Sequence, residues 1–230
     1  MNCELQSGMV SNMENIKGAI FDCDGVLLDS MQMWIGADAE YLLSLGLTPR
    51  PDIFDNIRPL SSLESAEYLR TEYSIPISTE QINDERNRML EDYYFHKTMP
   101  KVGVIPLLES LRIRGVKMCI ATATDKYLVE AALKRCDMLK YFERLFTCSE
   151  ENTGKSSPDI YIRAAAFLGT EINETLVFED ALHAMKSAKK AGFQVVAIYD
   201  QSEDDHQDEI KSICDYYYES WCMTGDNPLP

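Results

Sequence analysis

A doubly wound parallel α/β sheet carrying an inserted all-helical cap is the fold this 230-residue sequence predicts, and three observations predict it. Short apolar runs recur along the chain with helical patterns between them. Two of those runs end in paired acids. One stretch of about 70 residues contains helical patterns and no strand-like run, far longer than an ordinary connection inside a compact domain.

The apolar runs lie at residues 17–21 (KGAIF), 117–121 (KMCIA), 144–148 (RLFTC), 175–178 (TLVF) and 194–199 (QVVAIY). Runs this short and this continuously apolar are expected of parallel strands buried on both faces. The helical patterns between them have legible ends. Residues 104–114 stop at Gly115, 125–135 carry Leu128, Val129, Ala132 and Leu133 on one face, and 180–190 stop at Ala191-Gly192. At 157–161 (SPDIY), Ser157 suits an N-cap and Pro158 the first helical position, with Gly169 closing the far end. The insert shows helical patterns at 33–45, 61–73 and 78–95. The predicted division is a core of residues 16–30 and 100–230 and a cap of residues 31–99.

Charge narrows the function. The chain has 38 acidic and 22 basic residues, a formal net charge of -16, which repels nucleic acid phosphates and anionic lipid headgroups. Neither nucleic acid nor a membrane is expected as a partner. A phosphorylated small molecule is an anion too, so its site needs a metal or a lysine to reverse the field locally. The seven cysteines (Cys3, Cys23, Cys119, Cys136, Cys148, Cys214, Cys222) show no paired metal-type spacing and predict reduced thiols. Residues 1–15 lack the apolar core of a signal peptide, and no run approaches the roughly 20 apolar residues of a membrane span. A soluble cytoplasmic protein is expected. Residues 201–209 (QSEDDHQDE) read as a solvated acidic loop, and His96, His183 and His206 are too dispersed to form a metal set.

In such a sheet, ligands bind beyond the carboxyl ends of the strands, so polar residues there are the candidates. Asp22 and Asp24 directly follow the first strand, and in an extended chain residues two apart point the same way. Their repulsion is relieved by a cation between them or a proton on one of them. An Asp-Gly turn accounts for Asp24-Gly25 but leaves Asp22 unexplained. The second strand ends in Ala121-Thr122-Ala123-Thr124, whose hydroxyl and N–H donors suit a phosphoryl oxygen, although threonine also caps helices. Lys155, in TGKSSP, can neutralise developing negative charge, although a loop lysine is usually just solvated. Glu179 and Asp180 end the fourth strand and offer the hard oxygen ligands that magnesium prefers, with N-capping the competing role for Asp180. Each of the last three sets is weak alone. Four sets at the ends of strands in one sheet make a joint signal.

In this order the motifs resemble the haloacid dehalogenase superfamily, in particular the helical-cap group containing β-phosphoglucomutase and phosphoglycolate phosphatase. The resemblance runs from about residue 17 to 199, with FDCDGVLLDS, the Thr122 segment, Lys155 and FED in the places of its four motifs. It implies a doubly wound (Rossmann-like) core, and a phosphatase in which Asp22 becomes an aspartyl phosphate and Asp24 is acid and then base. It implies Mg²⁺ held by the Asp22 carboxylate, the backbone carbonyl of Asp24, and Asp180 with Glu179. Thr122, Ala123 and Lys155 would bind phosphoryl oxygens.

Departures from the pattern are informative. Ala181 and Ala184 occupy a serine and a glycine position after the fourth motif, and Cys23 replaces a leucine or methionine and is expected to pack inertly. A mutase would need an arginine where Ser62 stands and a histidine where Trp34 stands. Residues 31–100 carry twelve acidic and six basic residues, so a bisphosphate finds little attraction there unless Arg58 takes over the missing role. The expectation is therefore a phosphatase for a small phosphorylated sugar, polyol or similar metabolite, with a mutase as the alternative. A signalling receiver needs neither Asp24 nor the insert. Trp34, with Met31 and Met33, either lines the substrate pocket or packs the cap. Tyr216, Tyr217, Tyr218 and Trp221 are expected to close an element over the core, in a monomer or weak homodimer.

Overall fold

The computed structural model describes residues 15–221; Cys3, Cys222 and residues 1–14 of the N-terminal segment lie outside them. Six strands form one parallel sheet: β1 (Gly18–Phe21), β4 (Lys117–Thr122), β5 (Leu145–Thr147), β6 (Thr175–Glu179), β7 (Gln194–Ile198) and β8 (Tyr216–Tyr218), in the order β5-β4-β1-β6-β7-β8. Side chains alternate across it, as a period of two requires. Ala19 and Phe21 enter the apolar cluster on one face with Val26, Leu108 and Phe178, while Ile20 enters the other with Cys119, Val177 and Tyr161. The chain leaves β1 for β4 and β5 on one side and returns to β6 on the other. The crevice beyond β1 is therefore the topological switch point, where doubly wound sheets bind ligands.

Helices α5 (Val104–Ile113), α6 (Lys126–Arg135), the one-turn α7 (Cys148–Glu151), α8 (Asp159–Leu168), α9 (Leu182–Ala191) and α10 (Gln207–Ile213) flank the sheet. Two boundaries differ from expectation. Pro158 rather than Ser157 sits at the N-cap of α8, and the Ser157 hydroxyl donates to Asp159 Oδ2 at 2.8 Å. Ala181 is the N-cap of α9, so Asp180 makes no cap and its carboxylate is available for other chemistry. The aromatic C-terminal cluster forms the edge strand β8, and Trp221 donates from Nε1 to the Val26 carbonyl at 2.9 Å, fastening the chain onto the loop after β1.

Between Leu28–Asp29 (β2) and Met99–Pro100 (β3), which pair antiparallel as two adjacent strands, the chain is helical: α1 (Met31–Ser44), α2 (Ile53–Ile57), α3 (Ser62–Glu72) and α4 (Thr79–Asp92), continued by a π-helical turn at Tyr93–Lys97. Capping boxes fix two starts, Ser61 with Glu64 and Ser78 with Gln81. This cap encloses its own cluster around Tyr41, Leu42, Ile57, Leu69 and Ile82. It is tied to the core through Asp125, whose Oδ2 accepts from Asn83 Nδ2 (2.8 Å) and Asn87 Nδ2 (2.5 Å) on α4. Among the described residues no helix is long and apolar enough to cross a membrane.

Candidate active site

Asp22 directly follows β1, Thr122 and Glu179 end β4 and β6, and Lys155 lies in the loop after α7; the switch-point topology brings Asp22, Thr122 and Lys155 to one cavity, with Glu179 buried against Lys155. The backbone N–H of Asp22 donates to the Phe178 carbonyl at 2.9 Å, so the ladder between β1 and β6 extends to the residue itself. Lys155 is 5% exposed, and its Nζ lies 2.6 Å from both Asp22 Oδ1 and Glu179 Oε1. Burial alone would lower its pKa, but the two carboxylates outweigh burial and hold it above its ordinary value. Tyr161 on α8 also donates to Glu179 Oε1 at 2.7 Å, whereas Glu179 Oε2 is buried with no partner among the described residues.

Oxygens of Asp22, Glu179 and Asp180 lie within 4.8 Å of one another. Burial is the largest cause raising the pKa of Asp22; Lys155 opposes it, and Glu179, Asp180 and Asp24 add to it. Asp180 is pushed up to about 7 by burial first, then by Glu179 and Asp200. Three carboxylates crowded out of water, one oxygen left without a donor, fit a hard divalent cation such as Mg²⁺. Gly25 makes the crowding possible. It sits at φ +77°, and a Cβ there would meet Asp180 Oδ2 at 2.2 Å.

Asp24 stands apart from that cluster in a shell of hydroxyls. Ser30 Oγ and Tyr94 Oη donate to its Oδ1 at 2.5 Å each, and Thr124 Oγ1 donates to Oδ2 at 2.7 Å. Ser30 occupies the N-cap of α1 but makes no side-chain cap bond, its hydroxyl being turned to Asp24. Thr122 Oγ1 accepts the Thr124 N–H at 3.2 Å, leaving its own proton to donate into the cavity that Thr122 and Ala123 line.

The cavity, about 820 Å³ including its open mouth, is closed from the cap side by Trp34, Asp38, Phe54, Arg58, Ser62 and Arg86. Trp34 does both things expected of it as alternatives: it lines the cavity with Met31 and packs, its Nε1 donating to Tyr94 Oη at 2.8 Å. Met33 packs on the core. Arg58 also lines the cavity, but its guanidinium pairs with Glu203 and donates to the Ser202 carbonyl at 3.0 Å. Glu203 corrects the reading of residues 201–209 as a solvated loop: it is 1% exposed and accepts the Leu182 N–H at 2.8 Å. Cys23 is wholly buried, and burial pushes its thiol far above the ordinary range, so it packs inertly.

Sequence reasoning missed Tyr94, Ser30, Tyr161, His183 and the Asp38–Arg86 pair. Only Ser30 had a local signal, a hydroxyl closing the FDCDGVLLDS segment just before the first cap helix. Tyr94 and the Asp38–Arg86 pair meet the site across long separations, 70 residues between Tyr94 and Asp24 and 48 between Arg86 and Asp38, whereas Tyr161 and His183 lie near Glu179 and Asp180 in sequence but on helices whose facing side no motif marks.

A parallel sheet with an acid pair after its central strand, a threonine and a buried lysine beside them, and a helical cap above define a phosphoryl-transfer type of hydrolase. The family model of the haloacid dehalogenase-like hydrolases matches residues 19–198. The chain belongs to that family, as a phosphatase-type hydrolase with a β-phosphoglucomutase-like fold. A phosphorylated carbohydrates phosphatase of Thermotoga maritima is 27% identical over 183 residues, covering 78% of this chain and 83% of that one. Hexitol phosphatase B of Escherichia coli is 24% identical over 193 residues, covering 82% and 86%. A β-phosphoglucomutase from Clostridium difficile superposes with a TM-score of 0.74 at 16% identity, covering 90% and 92%, a likeness of fold alone.

Proposed function

We propose that the protein is a magnesium-dependent phosphatase that hydrolyses a small phosphorylated sugar or polyol through a phosphoaspartate on Asp22. The observation that carries this reading is the division of labour between two neighbouring acids. Asp22 lies in the three-carboxylate cluster against Lys155, while Asp24 is separately held by three hydroxyls. Names of relatives, a phosphorylated carbohydrates phosphatase and a hexitol phosphatase, support the substrate class.

In the first step an Asp22 oxygen forms a bond to phosphorus as the ester P–O bond breaks, and Asp24 gives its proton to the leaving oxygen. In the second, Asp24 takes a proton from water, whose oxygen attacks phosphorus. The Asp22–phosphorus bond breaks and inorganic phosphate leaves. Lys155, Thr122 and the Ala123 N–H answer the charge on the phosphoryl oxygens. Asp22, Glu179, Asp180 and the Asp24 carbonyl would hold Mg²⁺, which when bound supplies the positive charge that lets a carboxylate approach a phosphoryl anion. Tyr161 and Lys155 fix Glu179 Oε1, leaving Oε2 as the free ligand atom. Residues 31–99 act as the cap that excludes water. A cytoplasmic setting belongs to the same reading, supported by five free thiols among the described cysteines.

The test is hydrolysis of p-nitrophenyl phosphate and a panel of sugar and polyol phosphates with and without Mg²⁺. Metal-dependent release of phosphate is expected. Dependence on a bisphosphate activator, with isomerised product, would favour a mutase instead.

A further inference from the structure

Two cap arginines line the cavity, and each has its charge answered by a buried carboxylate. Arg58 is paired with Glu203. Arg86, on α4, reaches Asp38 Oδ1 through Nε at 2.7 Å and Nη2 at 2.6 Å, and donates from Nη1 to the Ser62 carbonyl at 3.2 Å. The side chains of Arg86 and Asp38 are only 7% and 6% exposed. His183, the remaining basic side chain on the wall besides Lys155, is uncharged at neutral pH, because burial, then Lys155 and Arg58, push its pKa down to about 3. The cation at the place where a mutase would carry its arginine thus comes from another helix, and it arrives already neutralised.

The two carboxylates differ in what they have left to offer. Glu203 is saturated: Arg58 and the Leu182 N–H use Oε1, and His206 Nδ1 lies 2.7 Å from Oε2. Asp38 takes both guanidinium bonds on Oδ1, and its Oδ2 accepts no hydrogen bond from the described residues. Asp38 lines the cavity and also a neighbouring one, with Gln32 and Tyr93. A carboxylate oxygen with an open lone pair is a strong acceptor for hydroxyl donors, and it repels a second anion.

We propose that the Asp38–Arg86 pair sets the specificity of the cavity: Asp38 Oδ2 accepts hydroxyls of the leaving group, and the neutralised arginine offers no charge to a second phosphate or carboxylate. The substrate is then a monophosphate ester of a neutral polyhydroxy alcohol. This assignment rests on the phosphatase reading of Asp22 and deepens it. Binding sites built to bond a hydroxyl discriminate strongly against analogues that lack it, because their own polar group is left unpaired.

The test compares wild type with Asp38→Asn on sorbitol 6-phosphate, p-nitrophenyl phosphate and fructose 1,6-bisphosphate. Asparagine keeps the shape but removes the charge and frees Arg86. The ratio of kcat/KM for sorbitol 6-phosphate to that for p-nitrophenyl phosphate should fall about ten- to hundredfold, mainly through KM, as expected for a lost charge-assisted bond. The relative rate on the bisphosphate should rise. Should Asp38→Asn not fold, the double variant Asp38→Leu/Arg86→Met buries no unpaired charge; it should show the same fall without the gain on the bisphosphate. A ratio within twofold of wild type in the variant that folds overturns the assignment while leaving the phosphatase reading intact. Wild type inactive on p-nitrophenyl phosphate with Mg²⁺ overturns both.

Discussion

Gly25→Ala perturbs the acid cluster without altering any titratable group. The residue sits at φ +77°, a region where an L side chain costs about 1–2 kcal/mol. In a chain of this size that lowers the melting temperature by about 2–8 °C. The larger effect is steric. The new Cβ would lie 2.2 Å from Asp180 Oδ2 and 2.6 Å from its Cγ, and ordinary contact begins at 3.4 Å, so the carboxylate must withdraw. The retreat is on the order of 1 Å, and a misplacement of that size in an active site costs about 10²-fold in rate. The assay is Mg²⁺-dependent kcat/KM on p-nitrophenyl phosphate, with thermal unfolding measured in parallel. Gly36→Ala is the control: that glycine lies inside α1, and an added Cβ meets nothing within 4 Å among the described residues. It should stabilise the protein by about 0.5–1 kcal/mol. Gly25→Ala activity within threefold of wild type, at an unchanged Mg²⁺ requirement, would refute the reasoning.

Asp22 and Asp180 both have pKa values raised by burial first, with neighbouring acids adding, Asp180 to about 7. A carboxyl raised above its unfolded value of about 3.9 contributes stability that is present below that value and lost as pH rises through the folded pKa. The metal-free protein should therefore lose melting temperature between pH 5 and pH 8 from these groups, and saturating Mg²⁺ should raise it more at pH 8 than at pH 6; equal shifts would contradict the cluster's role. Lys155→Met leaves Asp22 and Glu179 uncompensated, which should destabilise the protein by about 3–5 kcal/mol and lower kcat about 10²–10³-fold. Calorimetry and kinetics on the same preparation check both, and a melting temperature within 2 °C of wild type would count against the ion pair. Tyr94→Phe removes one of three hydroxyls from Asp24 and should lower kcat about tenfold, with a further loss in Tyr94→Phe/Thr124→Val. Steady-state kinetics showing no loss in the double variant would argue against the hydroxyl shell.

The core was legible because parallel strands write a short, strong signal. Five apolar runs became β1, β4, β5, β6 and β7 to within a residue or two, and the acids, threonine and lysine after them meet because the topology collects strand ends. The cap's three longer helices, α1, α3 and α4, were legible as helical patterns at 33–45, 61–73 and 78–95; the capping boxes that start α3 and α4 emerge only from the structure. What escaped is what local pattern cannot hold. Helix α2, at Ile53–Ile57, is too short for a period to show, and β2 and β3 are two residues each. Tyr94 follows an amphipathic helix and looks like any core aromatic; only the cap's docking brings its hydroxyl to Asp24. Arg86 was counted among the six basic residues of the cap, but its charge is cancelled by Asp38, a pairing that no spacing announces. Glu203 sat in an acidic run that looked solvated, and Arg58 draws it inside.

The most direct test of the central claim is to trap the covalent intermediate. Wild type mixed with a radiolabelled phosphate ester and Mg²⁺, quenched in acid within a turnover, should retain label on the chain that hydroxylamine releases, as an acyl phosphate requires, and peptide mapping should place it on Asp22. Asp22→Asn should retain none and turn over no substrate. Label at another residue, or full activity in Asp22→Asn, would contradict the account.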